Sequence, residues 1–225
     1  MRRKVLHEPW RAFFEALDQE LSTPCDLHCF GGFVLTEHYG VTRSTIDVDV
    51  IDVRGATVAE IARLAGRGSA LHGRHRAYID VVTVADVPDD YESRLIDMHV
   101  EGLAQVKLLA FERHDLVLAK LARNTDRDRE DVLALARGPG LDTDLLRSRY
   151  GDELRPTLGR PDREDLTLEL WIEMILEITG EAPTSSAAPA TRRLRRGDQP
   201  VAKFVPDTQP SSSLTVSGAR ALLLM

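Results

Sequence analysis

Two aspartates separated by a single residue are the groups in this chain best suited to chemistry. Asp47 and Asp49 lie in the run Ile46-Asp47-Val48-Asp49-Val50. Successive side chains of a strand point to opposite faces, so both carboxylates share one face. Adjacent carboxylates repel each other, and a cation relieves that repulsion. The pattern therefore predicts a metal site, whereas Asp52 falls on the other face by strict alternation and is a poorer candidate.

A pair of glycines, Gly31-Gly32, precedes the aspartate strand. Because glycine has no side chain, the backbone N–H groups of such a pair can approach a phosphate closely where a helix begins. A tight turn without a ligand is the alternative. Taken with the aspartates, the glycines predict a divalent metal and a polyphosphate held in one cleft.

Composition and charge restrict the classes of function. The chain has 225 residues, of which 43% are hydrophobic and 29% are charged, as is usual for a globular protein. Its net charge is −7, and residues 181–225 contain six Lys/Arg against three Asp/Glu, so the first 180 residues carry −10. An acidic body disfavours broad, nonspecific binding of duplex nucleic acid. It is compatible with a local basic groove or with an RNA end that enters an active site.

The sequence contains no targeting signal that we recognise. The basic residues 1–4 are not followed by an apolar stretch, and no segment approaches the roughly 20 apolar residues of a membrane span. We therefore expect a cytoplasmic protein without a membrane partner. Cys25 and Cys29, with His28 between them, match zinc sites only weakly, and we prefer reduced cysteines without a metal. Likewise, a loop or helix end explains His72 and His75 better than a metal pair does.

Apolar periodicity and turn residues predict the elements that hold these groups. A helix begins near Pro9. Residues 1–112 further suggest strands at 26–30, 45–53, 76–84, 94–99 and 105–109, with helices at 33–39 and 58–65. From His114 onward the pattern is helical, at 114–122, 126–136, 142–151 and 162–180, the last capped by Asp162. The expected fold class is α/β (α+β), a small mixed sheet flanked by helices and followed by a helical part.

The same patterns divide the chain into an α/β core over residues 1–112, a helical part over 113–180 and a tail over 181–225. The tail holds five of the eleven prolines, many Ser and Thr residues, and no periodicity, so we expect it to be disordered. Its basic run, residues 192–196, could contact RNA or a protein partner, but a solvated charge run is the preferred interpretation.

Two stretches together resemble the nucleotidyltransferase superfamily with the polymerase-β type palm. They are Gly31-Gly32-Phe33-Val34-Leu35 and Arg43-Ser44-Thr45-Ile46-Asp47-Val48-Asp49. Members carry Gly-Gly or Gly-Ser at the start of a helix, Asp-x-Asp on the next strand, and a third carboxylate on a later strand. Asp80, in the run Tyr78-Ile79-Asp80-Val81-Val82, matches that third carboxylate. The form Arg-x-Thr-x-Asp-x-Asp after Gly-Gly looks like that of minimal bacterial members, which include AbiEii-type toxins.

The helical part extends the resemblance. The run 115–122, which contains Lys120, and the run Arg127-Asp128-Arg129-Glu130-Asp131 resemble a segment in which a lysine on one helix precedes acidic residues on the next. One departure stands out. The better-characterised members have Gly-Ser, with the serine hydroxyl on a phosphate, whereas position 32 is glycine here. That contact is then absent or is supplied elsewhere, for instance by Ser44 or Thr45.

The resemblance implies a metal-dependent nucleotidyltransferase. Such an enzyme moves a nucleoside monophosphate from a nucleoside triphosphate (NTP) to an RNA such as tRNA, a protein or a small molecule, and a toxin would have a cognate antitoxin protein. Asp47, Asp49 and Asp80 would hold Mg²⁺ or Mn²⁺, with Asp80 near the acceptor hydroxyl. The resemblance assigns the triphosphate to Gly31, Gly32, Arg43, Thr45 and Lys120.

Other interpretations remain open at the sequence level. The chain could be an inactive member that binds a nucleotide or a protein, which the missing hydroxyl at Gly32 would favour, or an interaction module with a solvated acidic patch. Arg43 could be a surface residue, and Lys120 could be a lysine whose ammonium reaches solvent. Asp128 and Asp131 share a helix face and either orient Lys120 or Arg123 or belong to a solvated face.

Overall fold

Five strands form one mixed sheet in this computed structural model, which describes residues 4–180. They are β1 (Cys25–Phe30), β2 (Asp47–Arg54), β3 (Tyr78–Val81), β4 (Ile96–Asp97) and β5 (Val106–Ala110). Their order across the sheet is β3-β2-β1-β5-β4. β1 runs antiparallel to β2 and parallel to β5, while β2 is parallel to β3 and β4 is antiparallel to β5.

Helices flank the sheet and make up the rest of the described chain. Those within the sheet region are α1 (Trp10–Glu20), α2 (Gly31–Glu37), α3 (Val58–Ala65) and α4 (Ala70–His75). Those after it are α5 (Arg113–Leu118), α6 (Asp126–Ala136), α7 (Thr143–Arg149) and α8 (Asp162–Thr179). Short 3₁₀ turns span 91–94 and 155–157, and a π turn spans 150–154. The predicted mixed sheet with flanking helices and a helical second part is confirmed.

The core packs α1 and α2 against the sheet beside the aspartate strand. Trp10 and Phe14 of α1 meet Phe33 of α2, with ring centroids 5.2 and 5.6 Å apart. Leu27 in β1 and Val48 in β2 are fully buried. β1 is the central strand of the sheet, between β2 and β5, and its buried side chains hold it in the core. Because β2 pairs with β1, the position of β2 is fixed as well. The aspartates therefore stand on a strand that the core holds rigidly.

Side-chain caps explain several helix starts, and some element boundaries differ from those that the sequence pattern predicts. α6 has the predicted bounds because Thr125 and Asp128 form a reciprocal capping box. The strand expected at 76–84 covers only Tyr78–Val81, and the preceding residues form α4, whose N-cap Ser69 accepts a hydrogen bond from the backbone of His72. The prediction that Asp162 caps the last helix is wrong, since Asp162 is its first residue.

Two predictions about organisation are left untested. The expected division near residue 112 falls in the short connection between β5 and α5. The disordered tail and its basic run lie outside the described residues. Within residues 4–180, every helix is too short or too polar to cross a lipid bilayer.

Candidate active site

The register of β2 and β3 brings the three predicted carboxylates together. Asp49 is the strand partner of Asp80, and Asp47 is the partner of Tyr78. Partner residues of neighbouring strands project from the same face about 4.8 Å apart. Asp47, Asp49 and Asp80 therefore form one array, in which Asp49 is mostly buried and Asp80 is exposed.

Asp47 is oriented by hydroxyl groups on both sides. Thr45 donates a hydrogen bond to Oδ1 of Asp47 over 2.8 Å, and the Tyr78 hydroxyl lies 3.3 Å from Oδ2. Arg67 in turn donates to the Tyr78 hydroxyl and lies 4.6 Å above the centroid of its ring. Sequence reasoning missed Arg67, because it lies in the turn between α3 and α4 and only the folded chain brings it to β3.

The carboxyl of Asp49 has an environment that disfavours its charge. Burial, with the nearby charges of Asp47 and Asp80, raises its pKa to about 6, while Arg123 and Lys120 oppose this shift. No residue in the described part of the chain donates a hydrogen bond to this carboxyl. A bound cation would supply the compensation that it lacks.

Gly31 is the residue that allows Asp49 to occupy its position. It begins α2 with a φ of +69°, in the left-handed region that favours glycine. A Cβ atom added there would lie 1.9 Å from Oδ2 of Asp49. The position of Asp49 thus requires glycine at residue 31, which gives the presence of Gly31 opposite the Asp-x-Asp motif a steric reason.

Gly32 leaves room for two other side chains. A Cβ atom at this position would lie 2.9 Å from the Thr45 hydroxyl and 3.2 Å from Cζ of Arg43. The volume that a serine would use is therefore occupied by the Arg43 guanidinium and the Thr45 hydroxyl. Both side chains come from the segment immediately before β2.

Lys120 lies in a buried ion-pair network behind the cleft. Its side chain is 3% exposed, and its ammonium is 2.8 Å from Oδ2 of Asp131 and 3.4 Å from Oδ1 of Asp128. The guanidinium of Arg43 binds the same oxygen of Asp131. A solvent-reaching Lys120 and a solvated face bearing Asp128 and Asp131 are therefore both wrong, since all three side chains are buried.

Asp128 anchors a second arginine at the edge of this network. Arg123 donates to both of its carboxylate oxygens, over 2.9 and 2.6 Å, and Thr125 donates to one of them. Burial by itself would raise the pKa of Asp128, but these hydrogen bonds and the charge of Lys120 hold it well below its usual value. Asp128 thus stays ionised and keeps Arg123 beside Asp49.

Most of these side chains, though not those of Lys120 and Asp80, line a cleft of about 610 Å³, a volume common for small-molecule sites. Its charged lining comprises four arginines and four aspartates, namely Arg43, Arg67, Arg123, Arg127, Asp47, Asp49, Asp128 and Asp131. A smaller recess of about 190 Å³, with Val82, Val84 and Leu116 among its walls, reaches Asp49 and Arg123 from another side. Asp49 is thus accessible from two cavities.

A β-bulge changes the position expected for Asp52. The pairing of β1 with β2 shifts by one residue, so that His28 is the partner of Asp52 while Phe30 is the partner of Asp49. Since His28 and Phe30 share a face of β1, the two aspartates also share a face, and the prediction from strict alternation is wrong. Asp52 nevertheless lies near His28 and Glu92, away from the aspartate array.

The cluster of His28, Asp52 and Glu92 could offer ligand atoms to a metal. Arg54 already bridges its two carboxylates, donating to Asp52 over 2.8 Å and to Glu92 over 2.7 Å. The guanidinium of Arg54 therefore already compensates the charge of both carboxylates in this cluster.

The zinc alternative at the cysteines has no support in the geometry. Cys25 and Cys29 alternate with His28 along β1, so the imidazole points to the opposite face. Burial also raises the pKa of the Cys25 thiol to about 11.

Another depression, of about 490 Å³, lies against β5 at the other side of the sheet. Its lining includes Asp97, His99 and Lys107, and Asp97 lies 3.3 Å from Nδ1 of His99 and 3.4 Å from the ammonium of Lys107. It has neither the aspartate array nor the arginines of the cleft, so the cleft is the candidate active site.

A mixed sheet with three carboxylates against a Gly-Gly helix start is the arrangement expected of a nucleotidyltransferase. Residues 12–173 match a family described as a nucleotidyltransferase of unknown function (DUF6036), and the chain belongs to this family. The superfamily predicted from the motifs is thereby confirmed, while the AbiEii-type branch stays a prediction. Neither the curated proteins nor the solved structures yield a match.

The contact between Gly31 and Asp49 predicts unequal costs for two glycine substitutions. Gly31→Ala and Gly40→Ala both place alanine at a φ near +70°, which costs about 1–2 kcal/mol. Only Gly31→Ala also displaces Asp49, because nothing lies within 4 Å of a Cβ atom at Gly40. We expect Gly31→Ala to lower the free energy of unfolding by about 1–3 kcal/mol more, measured by denaturant titration. Equal costs would contradict the steric role of Gly31.

The raised pKa of Asp49 predicts a pH-dependent stability. An ordinary carboxyl titrates at 3.8 and this one at about 6, so the native state binds more protons between these values and its stability falls as the pH rises. Asp49→Asn removes that penalty. In EDTA, the variant should be more stable than the wild type by roughly 3 kcal/mol at pH 7, with no difference below pH 4.

Asp52→Asn is the matched control on the same strand. Burial would raise the pKa of Asp52, but hydrogen bonds from Arg54 and the Val53 amide outweigh it and lower the pKa. The control should therefore lose stability at pH 7. If Asp49→Asn behaved in the same way, the aspartate array would not be electrostatically strained.

Proposed function

We propose that this chain is a metal-dependent nucleotidyltransferase that transfers a nucleoside monophosphate from an NTP to an acceptor hydroxyl. The acceptor oxygen forms a bond to the α-phosphorus, the bond to pyrophosphate breaks, and the hydroxyl proton passes to a base. The observation that carries the proposal is the array of Asp47, Asp49 and Asp80 on adjacent parallel strands, of which Asp47 and Asp49 line an arginine-rich cleft.

The donor chemistry of the array fits Mg²⁺ or Mn²⁺. It offers carboxylate oxygens only, which these hard cations prefer. Asp49 accepts no hydrogen bond from the described residues, so its oxygens are available to a metal, and a bound cation would lower its raised pKa. When bound, such cations stabilise charge on the attacking and leaving oxygens and lower the pKa of the attacking hydroxyl.

The charge of the cleft supports a polyphosphate that binds together with its cations. The four arginines and four aspartates of the lining cancel formally, so the cleft alone has no excess positive charge. The amides of Gly31 and Gly32 and the side chains of Arg43 and Thr45 would contact the triphosphate. These groups lie directly beside Asp47 and Asp49.

Lys120 acts through other residues in this proposal. Its ammonium binds Asp131 and Asp128, which in turn hold Arg43 and Arg123 at the cleft. Lys120 is therefore a positioning residue for two arginines, and the contact with phosphate belongs to those arginines. Asp80, exposed beside Asp49, would accept the proton of the acceptor hydroxyl.

The inactive alternative loses its main argument. It rested on the hydroxyl missing at Gly32, and that volume holds the Thr45 hydroxyl and the Arg43 guanidinium instead. A toxin role with a cognate antitoxin, and tRNA or a protein as acceptor, remain predictions from the AbiEii-type resemblance.

Thermal unfolding with each of the four NTPs, with and without Mg²⁺, tests the nucleotide site without knowledge of the acceptor. Ligand at about 100 times its Kd should stabilise the wild type by roughly 2.7 kcal/mol, a shift of several degrees. The shift should need Mg²⁺ and should vanish in Asp47→Asn/Asp49→Asn.

Asp52→Asn again serves as the control, because it alters a carboxylate of the same strand outside the array and should keep the shift. Each variant is compared with its own unliganded midpoint, since Asp49→Asn changes stability by itself. No shift with any NTP in the wild type would sink the proposal.

The packing at Gly32 makes a further prediction. Gly32→Ser introduces the residue that the better-characterised members have at this position. It should nevertheless weaken Mg²⁺-dependent NTP binding about tenfold, because it displaces Arg43. Arg43→Gln should weaken binding similarly, and the double variant should be no worse than either single one, since all remove one interaction. Tighter binding by Gly32→Ser, measured by calorimetry, would show that the glycine is a defect.

A further inference from the structure

Residues 61–76 form an arginine segment that has no acidic residue. The segment runs from the end of α3 through α4 and contains Arg63, Arg67, Arg74 and Arg76. All four arginines are exposed, and none forms an ion pair with an acid in residues 4–180. The chain as a whole has a net charge of −7, whereas this segment has four positive charges and no negative one.

Many other arginines of the described chain are engaged. Arg54, Arg94 and Arg147, for example, each bind two or more carboxylates. Such arginines have little positive charge to offer a ligand. The arginines of the segment keep their charge and, apart from the contact of Arg67 with Tyr78, their guanidinium donors.

The arginine segment borders the cleft. Gly66 pairs with Ile79 of β3, and Arg67 covers Tyr78, the strand partner of Asp47. Arg76 lies two residues before Tyr78 in the chain. A ligand bound at Arg67 and Arg76 would therefore lie next to β3, the strand that carries the exposed Asp80.

We propose that the arginine segment binds the phosphate backbone of a single-stranded polynucleotide whose terminal hydroxyl is the acceptor, an inference that rests on the proposed nucleotidyl transfer. Guanidinium groups bind phosphates bidentately, and a polynucleotide presents a phosphate at every residue. One strand can thus contact several arginines while its end reaches the aspartates. The acidic remainder of the chain would repel the wider charge of a duplex.

The salt dependence of binding tests this surface. Fluorescence anisotropy would measure the binding of labelled 20-nucleotide RNA and DNA strands of one sequence. Comparison of the two affinities shows whether the arginine segment prefers an RNA or a DNA backbone. We expect Arg63→Gln/Arg74→Gln/Arg76→Gln to reduce the slope of log Kd against log salt by about 2, because each phosphate contact contributes about 0.7 for single strands. Arg67 is left unchanged since it lines the cleft.

The chain provides a control of equal charge. Arg137, Arg160 and Arg163 are exposed and, within residues 4–180, form no ion pair, so changing all three to glutamine alters the net charge equally. That variant should keep the wild-type slope, and replacing the segment's three arginines with lysine should restore it. The proposal would be overturned if both glutamine variants lost the same amount of salt dependence, or if neither strand bound at low salt. It would also be overturned if polyglutamate of equal charge displaced the bound strand.

The NTP-induced shift in unfolding temperature separates this inference from the proposed function. The triple variant of the segment should keep the Mg²⁺-dependent shift, because its three residues lie outside the cleft lining. A shift without polynucleotide binding would overturn the inference alone. Polynucleotide binding without any shift would overturn the proposed function and leave the basic surface in place.

Discussion

The burial of Asp49 beside two other carboxylates is the constraint on which the arrangement of this protein depends. Desolvation and like charge raise its pKa, so the folded chain holds an ionised group that it does not itself neutralise. The core formed by α1, α2 and the central strands must offset that cost. Gly31 admits the carboxyl only because it has no side chain, so the helix start and the aspartate strand are fitted to one another.

The neighbouring basic side chains are placed so that they do not neutralise the carboxylates of the array. Lys120 and Arg123 favour the charge of Asp49 through space, yet their hydrogen bonds go to Asp131 and Asp128. Arg43 is held by Asp131 in the same way. Each of these side chains is fixed by a buried carboxylate, and the oxygens of Asp49 accept no hydrogen bond from the described residues. The metal site of the proposed function would require this separation, since in an ordinary ion-pair network the carboxylates would bind these cations directly.

Short-range patterns in the sequence predicted the parts of the site that depend on neighbours in the chain. The shared face of Asp47 and Asp49, the glycine start of α2 and the capped helix α6 all follow from local rules. The contact of Asp131 with Lys120 is one of the predicted alternatives, but its contact with Arg43 joins residues 88 positions apart, and no local rule foresees it. The same holds for Arg67 over Tyr78. The bulge in β2, a single extra residue, defeated strict alternation for Asp52.

The balance of charge in the cleft implies that a triphosphate would bind together with its metal cations and not before them. With equal numbers of arginines and aspartates in its lining, the cleft without metal presents Asp47 and Asp49 to any triphosphate that enters, and their charge repels it. A triphosphate that arrives with its cations reverses the sign of that interaction. Arg63, Arg74 and Arg76 lie outside this balance, in the segment whose fourth arginine, Arg67, lines the cleft. Under the two proposals, the same molecule would reject a bare polyphosphate at its aspartates while it attracts a phosphate backbone at its unpaired arginines.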